Sequence, residues 1–129
     1  MAEATVLLVT LFDDERAIYS HYFRAEGFDV LLADGPEHAL QLAAHADVVV
    51  TRIPQPGRSI NGIELLRRVK RDPTSSHVPV IVITSLMQAE FRAEAVAAGC
   101  DSYLLLPVVP DVLAAEIRRV LSAATRTVA

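Results

Sequence analysis

The sequence predicts an α/β fold in which helices cover both faces of one parallel β-sheet. Five short runs of aliphatic and β-branched residues alternate along the chain with amphipathic segments of helix length, which is the order of successive βα units. Several runs are apolar at consecutive positions rather than at every second one, a pattern typical of strands buried on both faces. The short connections predict right-handed crossovers between consecutive strands.

The predicted strands are the runs with the highest aliphatic content. They cover residues 6–9, 28–33, 47–51, 78–84 and 102–106. The clearest central strand lies in the fourth run, where Val80, Ile81, Val82 and Ile83 follow one another. Such an uninterrupted apolar run needs cover on both faces of the sheet.

The helices are predicted from apolar spacing and from the residues at their ends. The first covers about residues 14–26 with an apolar stripe of Ile18, Tyr22 and Ala25, and Gly27 stands where a C-terminal cap belongs. The second begins at residues 35–36, where proline suits a first turn.

The third helix begins after Asn61, a good N-cap, and ends at residues 72–73 because proline follows. The fourth covers about residues 88–98 and ends at Gly99, and the fifth begins near residues 110–111. In these four helices the side chains predicted to face the core are Ala39, Leu42, Ala43, Ile63, Leu66, Val69, Phe91, Ala95, Ala98, Leu113, Ile117, Val120 and Leu121.

Length and composition restrict the class of protein. The 129 residues are 52% hydrophobic and 22% charged, with 16 acidic and 12 basic residues and a net charge of −4. We expect one ordered domain over residues 1–129, with a core over about 5–121 and a fraying tail at 122–129.

The excess of acidic over basic residues argues against direct nucleic-acid binding. One cysteine allows no internal disulfide, and no apolar run approaches the ~20 residues of a membrane span, so we expect a cytoplasmic protein.

Function is expected at the carboxyl ends of the strands, where open parallel sheets bind their ligands. No glycine-rich phosphate loop follows the first run and no P-loop motif occurs in the chain, which argues against nucleotide binding of those kinds. No nucleophile–base pair is visible, so we expect no enzymatic activity. The predicted strand ends carry one cation, a few hydroxyls and aliphatic side chains.

A series of short motifs follows the predicted elements along the chain. They are VLLV at 6–9 followed by Arg16, EGFDV at 26–30, ADG at 33–35, NGIELL at 61–66, VPVIVITS at 78–85, AGCDSYL at 98–104, and Pro107. In this order and spacing, residues 5–121 resemble the receiver domain of two-component response regulators. The resemblance implies a role in signal transduction and a flavodoxin-like, doubly wound sheet of five parallel strands in the order 2-1-3-4-5, with five helices.

The resemblance also locates a phosphorylation pocket, in which this chain keeps one of the family's residues. In the family, an acidic pair after the first strand and an aspartate ending the third hold Mg²⁺. That aspartate accepts the phosphoryl group, whose oxygens are bound by a threonine or serine and by a lysine. The acidic pair falls on Thr10 and Leu11, the acceptor on Arg52 and the lysine on Leu106, whereas Thr84 is retained.

These replacements predict a degenerate, atypical receiver, or pseudo-receiver, that is not phosphorylated and has lost Mg²⁺ binding. Arg52 is not a nucleophile, and its permanent charge repels a divalent cation. Tyr103 matches the aromatic residue that changes rotamer when family members switch. Any switching would then depend on a partner or another ligand that biases two states.

Two rival functions stay open at this stage. Asp13 and Asp14 could form a relocated acidic site of a functional Mg²⁺-dependent receiver, although the simpler interpretation makes Asp14 the helix N-cap and places Glu15 in the first turn. Arg52 and Thr84 could instead bind a small anion.

The orientation of Arg52 also stays open. Its side chain could pair internally with Asp13 or Asp14, bind that anion, or reach solvent. One of these arrangements is required because burying a guanidinium without a partner costs too much free energy.

The predicted mode of action is protein–protein interaction. The resemblance implies a histidine kinase, an output domain or another regulator as partner, with no direct nucleic-acid or membrane partner. A homodimer could form through the fourth helix, the fifth strand and the fifth helix, because residues 104–106 are three leucines on an edge strand. A buried strand end explains these leucines equally well.

Overall fold

The computed structural model describes the backbone of residues 2–53 and 61–128 and the side chains of residues 2–53 and 61–124. The strands are β1 (Thr5–Val9), β2 (Asp29–Ala33), β3 (Val48–Ile53), β4 (Val80–Thr84) and β5 (Ser102–Leu105). The helices are α1 (Asp13–Ala25), α2 (Pro36–Leu42), α3 (Gly62–Arg71), α4 (Ala89–Ala97) and α5 (Pro110–Val128), and a short 3₁₀ turn follows α2 at Ala43–His45.

The sheet has the predicted topology. All neighbouring strands are parallel and lie in the order β2-β1-β3-β4-β5, which confirms the doubly wound fold. The residues of β4 are all buried, as the uninterrupted apolar run requires of a strand covered on both faces. β5 forms one edge of the sheet.

Helix ends follow their sequence signals in most places. Asn61 caps α3 through its side-chain oxygen, which accepts a hydrogen bond from the backbone N–H of Glu64 at 2.8 Å. Gly27 and Gly99, with φ of 101° and 106°, take the left-handed conformation that favours glycine after a helix. The last helix differs from the prediction, since α5 extends past residue 121 and continues to Val128.

Two clusters of buried side chains lie on the two faces of the sheet. Successive residues of a strand point to opposite faces. Leu7 and Val82 accordingly belong to the cluster that includes α2 and α3, whereas Leu8 and Ile83 belong to the cluster that includes α1 and α5. Among the described residues, no helix combines the length and the apolar character that a membrane crossing requires.

The buried face of α1 corrects the sequence-based prediction. Tyr19, Ser20 and Phe23 are buried, whereas Ile18 of the predicted stripe is 57% exposed. The aromatic side chains decide the orientation, because the rings of Tyr19 and Phe23 stack with centroids 6.0 Å apart and Phe28 packs edge-on against Phe23 at 6.3 Å. Aromatic rings that pack on one another, as those of Tyr19 and Phe23 do, bury a large apolar area, which favours this face of the helix over the one that carries Ile18.

The prediction for the fourth helix is also corrected. Of its predicted stripe, only Ala95 is fully buried, while Phe91 is exposed and Ala98 is half-buried. α4 therefore leaves apolar side chains beside the edge strand of the sheet.

Substitutions on α1 test which face of the helix forms the core. We expect Phe23→Ala to lower the free energy of unfolding by about 3–5 kcal/mol, because it removes a fully buried ring. Ile18→Ala, the matched control on the exposed face, should change it by less than about 0.5 kcal/mol. Urea unfolding followed by circular dichroism gives both values, and an equal or larger loss for Ile18→Ala would contradict the assignment.

Candidate functional site

The site is built around Arg52, near the carboxyl end of β3. Its guanidinium reaches the first turn of α1, where Nη1 donates to Oε2 of Glu15 in an ion pair. Each of these two side chains is only 18% exposed. The guanidinium also lies 4.2 Å from the centroid of the Phe12 ring, within the range of a cation–π contact.

Thr10 completes this network from the end of β1. Its buried hydroxyl donates to the second carboxylate oxygen of Glu15 at 2.8 Å and accepts from the backbone N–H of Phe12 at 3.2 Å. Each oxygen of the Glu15 carboxylate therefore accepts from its own donor. One donor is the charged guanidinium of Arg52 and the other is the neutral hydroxyl of Thr10. We call Thr10, Phe12, Glu15 and Arg52 the pocket network.

The internal ion pair agrees with one of the orientations predicted for Arg52, but the predicted partners are wrong. Asp13 and Asp14 are exposed, and neither forms an ion pair with a described residue. Phe12, rather than Asp14, is the N-cap of α1. Because residues four apart share one helix face, Glu15 points the same way as buried Tyr19, whereas the two aspartates point elsewhere.

The remaining pocket positions are occupied by hydroxyl and aliphatic groups. Thr84 is buried at the end of β4, and its hydroxyl oxygen accepts from the backbone N–H of Leu86 at 3.1 Å. Leu106 is half-buried and packs against the core cluster of α1 and α5, and its peptide bond to Pro107 is cis. Leu11 is half-buried in the bend after β1.

Tyr103 is tied to the same loop as Thr84. Its hydroxyl donates to the backbone oxygen of Leu86 at 3.1 Å. The backbone N–H of Leu86 is therefore bound by Thr84 and its backbone oxygen by Tyr103. Burial raises the pKa of Tyr103, and the neighbouring Cys100 acts in the same direction. The phenol therefore keeps its proton at neutral pH and remains a hydrogen-bond donor.

Tyr19 links the pocket network to the connection between β5 and α5. Its hydroxyl donates to the backbone oxygen of Val108 at 2.7 Å. Burial raises the pKa of Tyr19, the charge of Glu15 raises it further and the charge of Arg52 opposes the shift. Sequence patterns alone did not place Tyr19 or Glu15 in this region.

The donors at the pocket do not fit Mg²⁺, which binds hard oxygen ligands and above all carboxylates. The resemblance assigns the family's three acidic positions to Thr10, Leu11 and Arg52, whose side chains are a hydroxyl, a hydrocarbon and a cation. Among the described residues, no three histidine, cysteine or acidic side chains are grouped so that they could hold a metal ion.

Comparison with known proteins identifies the fold family. The model of the response regulator receiver domain matches residues 6–118. The chain belongs to the response regulator receiver family. This confirms the resemblance found in the sequence and makes the chain a domain of two-component signalling, in which receivers contact kinases and output domains.

Relatives of different lengths share this receiver domain. It is 31% identical over 118 residues to the chemotaxis protein CheY of Pseudomonas aeruginosa, which covers 89% of this chain and 94% of that protein. It is 32% identical over 117 residues to a cyclic di-GMP phosphodiesterase of Thermotoga maritima, covering 91% of this chain but only 31% of the relative. The chain thus spans nearly the whole of one relative and about a third of the other.

Solved structures give the same picture of the fold. The chemotaxis protein CheY4 of Vibrio cholerae superposes with a TM-score of 0.83 at 27% identity, covering 92% of this chain and 98% of that one. NtrX of Brucella abortus gives a TM-score of 0.87 at 23% identity, covering 98% of this chain and 28% of that one. The second likeness concerns the fold alone.

A double-mutant cycle measures the ion pair of the pocket network. We expect Arg52→Met to lower the free energy of unfolding by about 1–3 kcal/mol, because it leaves the Glu15 carboxylate partly buried without its cation. Glu15→Gln should cost a similar amount. The double variant should cost less than the sum of the two, with a coupling energy of about 1 kcal/mol or more.

The surface pair of Arg67 on α3 and Glu94 on α4, whose side chains are each more than a third exposed and whose atoms are 3.4 Å apart, serves as the control cycle. Its coupling should be at most about 0.5 kcal/mol, as is usual for surface pairs. Chemical denaturation of the wild type and the six variants provides the stabilities for both cycles. A coupling for Arg52 and Glu15 no larger than that of the surface pair would contradict the expectation that this ion pair contributes more to stability than a surface pair does.

Proposed function

We propose that this receiver domain works without aspartyl phosphorylation and without Mg²⁺, as a signalling module that acts through protein–protein contact and catalyses no reaction of its own. The observation that carries the proposal is the ion pair between Arg52 and Glu15. It occupies the position at which the family places the phosphoacceptor.

The chemistry at this position supports the proposal. Phosphoryl transfer to a receiver needs a carboxylate nucleophile, and its rate depends on cations that neutralise the developing charge. Arg52 offers no lone pair and cannot be deprotonated in a protein. A divalent cation would meet the guanidinium instead of three carboxylates, and Leu106 offers no charge toward a phosphoryl group.

The network also balances its own charge. The single positive charge of Arg52 faces the single negative charge of Glu15, and the hydroxyl of Thr10 satisfies the second carboxylate oxygen. An added dication or phosphoryl group would have to disrupt a paired and largely buried arrangement, which costs free energy. The unliganded pocket is therefore a stable state in its own right.

Both rival functions have less support. A relocated Mg²⁺ site would depend on Asp13 and Asp14, two exposed side chains of the first turn of α1. The neighbouring Glu15 carboxylate is paired with Arg52, and no group of three acidic, histidine or cysteine side chains among the described residues could hold a metal ion. An anion sensor would need the guanidinium of Arg52, for which the anion would have to compete with Glu15 and the Phe12 ring.

Phosphorylation and metal binding test the proposal directly. Incubated with acetyl phosphate and Mg²⁺, the domain should show no adduct of one phosphoryl group by intact mass spectrometry at neutral pH, because no acceptor carboxylate is in place. A Mg²⁺ titration followed by tyrosine fluorescence should be flat. A phosphoryl adduct would overturn the proposal, and Mg²⁺ binding that Asp13→Asn weakens would support the relocated site instead.

A restored pocket provides the positive control. The variant with Thr10→Asp, Leu11→Asp, Arg52→Asp and Leu106→Lys returns the family's charges to the same scaffold. It should bind Mg²⁺ and gain the phosphoryl adduct under the same conditions, provided that its circular dichroism spectrum matches that of the wild type. Arg52→Asp alone should remain inert, because it lacks the acidic pair and the lysine.

A homodimer through α4, β5 and α5 is a second part of the proposal. Met87, Phe91 and Leu105 are exposed, and a cavity of about 400 Å³ beside them is lined by Met87, Arg92, Tyr103 and Leu105, among others. Leu104 and Leu106 pack toward the core, so Leu105 is the outward member of the three leucines. An exposed apolar patch on an edge strand favours association.

Light scattering coupled to size-exclusion chromatography tests the dimer. The mass should rise from monomer toward dimer with concentration, and Leu105→Glu should keep it at the monomer value because it places a charge in the centre of the patch. Ile18→Glu, on α1 and outside the surface formed by α4, β5 and α5, should leave association unchanged. A concentration-independent monomer in the wild type would exclude the dimer.

A further inference from the structure

The helix α3 concentrates positive charge in a protein whose net charge is negative. It holds four basic residues and one acidic residue, whereas the whole chain has 12 basic and 16 acidic residues and a net charge of −4. Three of the basic side chains, those of Arg67, Arg68 and Arg71, are 39%, 49% and 71% exposed. We call these three arginines the α3 basic face.

The acidic side chains of the domain compensate this face only in part. All three guanidinium groups share the carboxylate of Glu64, at nitrogen–oxygen distances of 3.7, 3.5 and 3.8 Å for Arg67, Arg68 and Arg71. These distances exceed those of a good hydrogen bond. Arg67 also reaches Glu94 on α4 at 3.4 Å. Exposed ion pairs of this kind contribute little to stability, so the carboxylates of a partner can replace them at small cost.

Arg68 and Arg71 keep their hydrogen-bonding capacity for a partner. Within residues 2–53 and 61–124, neither side chain forms a hydrogen bond, and the contact of each with Glu64 is an ion pair only. A guanidinium has five N–H donors in a planar fork that matches a carboxylate. Because residues three apart are neighbours on a helix surface, the two arginines can bind carboxylates from adjacent side chains of one segment.

The clustering of like charges works against the stability of the helix. Arg71 is three residues after Arg68 and four after Arg67, and like charges at these spacings repel one another. Basic residues do interact favourably with the carboxyl end of a helix dipole, but this effect is confined to the last turn and Arg67 lies before that turn. The dipole therefore does not account for the whole face, whereas binding of a partner's negative charge would offset the repulsion.

The α3 basic face lies away from the pocket network and from the surface formed by α4, β5 and α5. Arg71 ends α3, and the adjacent Lys70 donates to the backbone oxygen of Val78 at 2.8 Å, two residues before β4 begins. The last turn of α3 is therefore at the amino ends of the strands, whereas the pocket network is at their carboxyl ends. A partner on this face leaves both other regions accessible.

We propose that the α3 basic face binds an acidic segment of another protein, whose aspartate or glutamate side chains meet Arg67, Arg68 and Arg71. Two exposed carboxylates border the face, Glu94 on α4 and Asp72 directly after α3. They limit its extent, which favours a short acidic segment over the long phosphate backbone of a nucleic acid. The inference rests on the proposed function, since it names a class of partner for a receiver that acts through protein–protein contact.

Selection from a phage-displayed peptide library tests the inference. The wild-type domain is the target, and the double variant with Arg68→Gln and Arg71→Gln, once circular dichroism shows that it is folded, removes peptides that bind elsewhere. The enriched sequences should share aspartate or glutamate residues close together. Absence of enrichment over the double variant, or enrichment of sequences without an acidic cluster, would overturn the proposal.

A fluorescein-labelled synthetic peptide of the most enriched sequence then provides the affinities by anisotropy. Arg68→Gln and Arg71→Gln should each weaken binding about threefold, and the double variant about tenfold, as expected when partly exposed ion pairs are lost. Arg24→Gln is the matched control, because Arg24 is exposed on α1 and forms no ion pair with a described residue. It should bind like the wild type, and an equal loss with this variant would contradict a site on α3.

Salt and competing anionic surfaces complete the test. The affinity for the peptide should fall as ionic strength rises, because salt screens the attraction between exposed charges, and an affinity independent of salt would contradict the proposal. Short double-stranded DNA and phosphatidylserine vesicles should bind the wild type more weakly than the peptide does. Tighter binding of either one that the double variant abolishes would assign the face to a different ligand.

All of these measurements omit Mg²⁺ and phosphodonor. A phosphoryl adduct in the earlier test would overturn the proposed function without removing the binding of the acidic peptide. Failure of the peptide experiments would overturn the assignment of the α3 basic face and leave the phosphorylation result as it stands. The two failures are therefore distinguishable.

Discussion

The ion pair between Arg52 and Glu15 is the interaction on which the arrangement of the pocket depends. A guanidinium that is only 18% exposed has to be compensated by a negative charge. The residues that the resemblance assigns to the family's acidic positions, Thr10, Leu11 and Arg52, include no carboxylate, so the compensation comes from the first turn of α1. The pair thereby joins the end of β3 to the start of α1, the two segments that border the pocket in any receiver.

An internal pair changes what can switch the domain. A phosphoryl group changes the balance between two conformations only through interactions that differ between them, and in the proposed pseudo-receiver the ion pair of Arg52 and Glu15 takes the place of that group. The loop after β4 is held at Leu86 by Thr84 and Tyr103. If the domain is not phosphorylated, as proposed here, free energy that moves this loop would have to come from a partner that binds a different loop position more tightly.

Sequence periodicity predicted the sheet and most helix ends, because burial on both faces and helix caps are local signals. It failed on α1, where the stripe that begins at Ile18 and the stripe that begins one residue later, at Tyr19, fit a helix equally well. The correct stripe depends on Phe28, which lies just before β2 and packs against Phe23. This contact comes from outside the helix, so the periodicity of the helix does not show it. The same error hid Glu15, since the face that buries Tyr19 also turns Glu15 toward Arg52. Contacts such as that of Phe12 with Arg52 leave no periodic signal at all.

Glu15 also links the pocket network to the connection between β5 and α5. It lies one helical turn before Tyr19, whose hydroxyl donates to the backbone oxygen of Val108. The first turns of α1 are therefore held at β3 through Arg52 and at the β5–α5 connection through Tyr19, and Thr10 adds a contact from the end of β1. In the pseudo-receiver proposed here, the ends of β1, β3 and β5 are thus joined through α1 by contacts within the domain, without a bound ion or phosphoryl group.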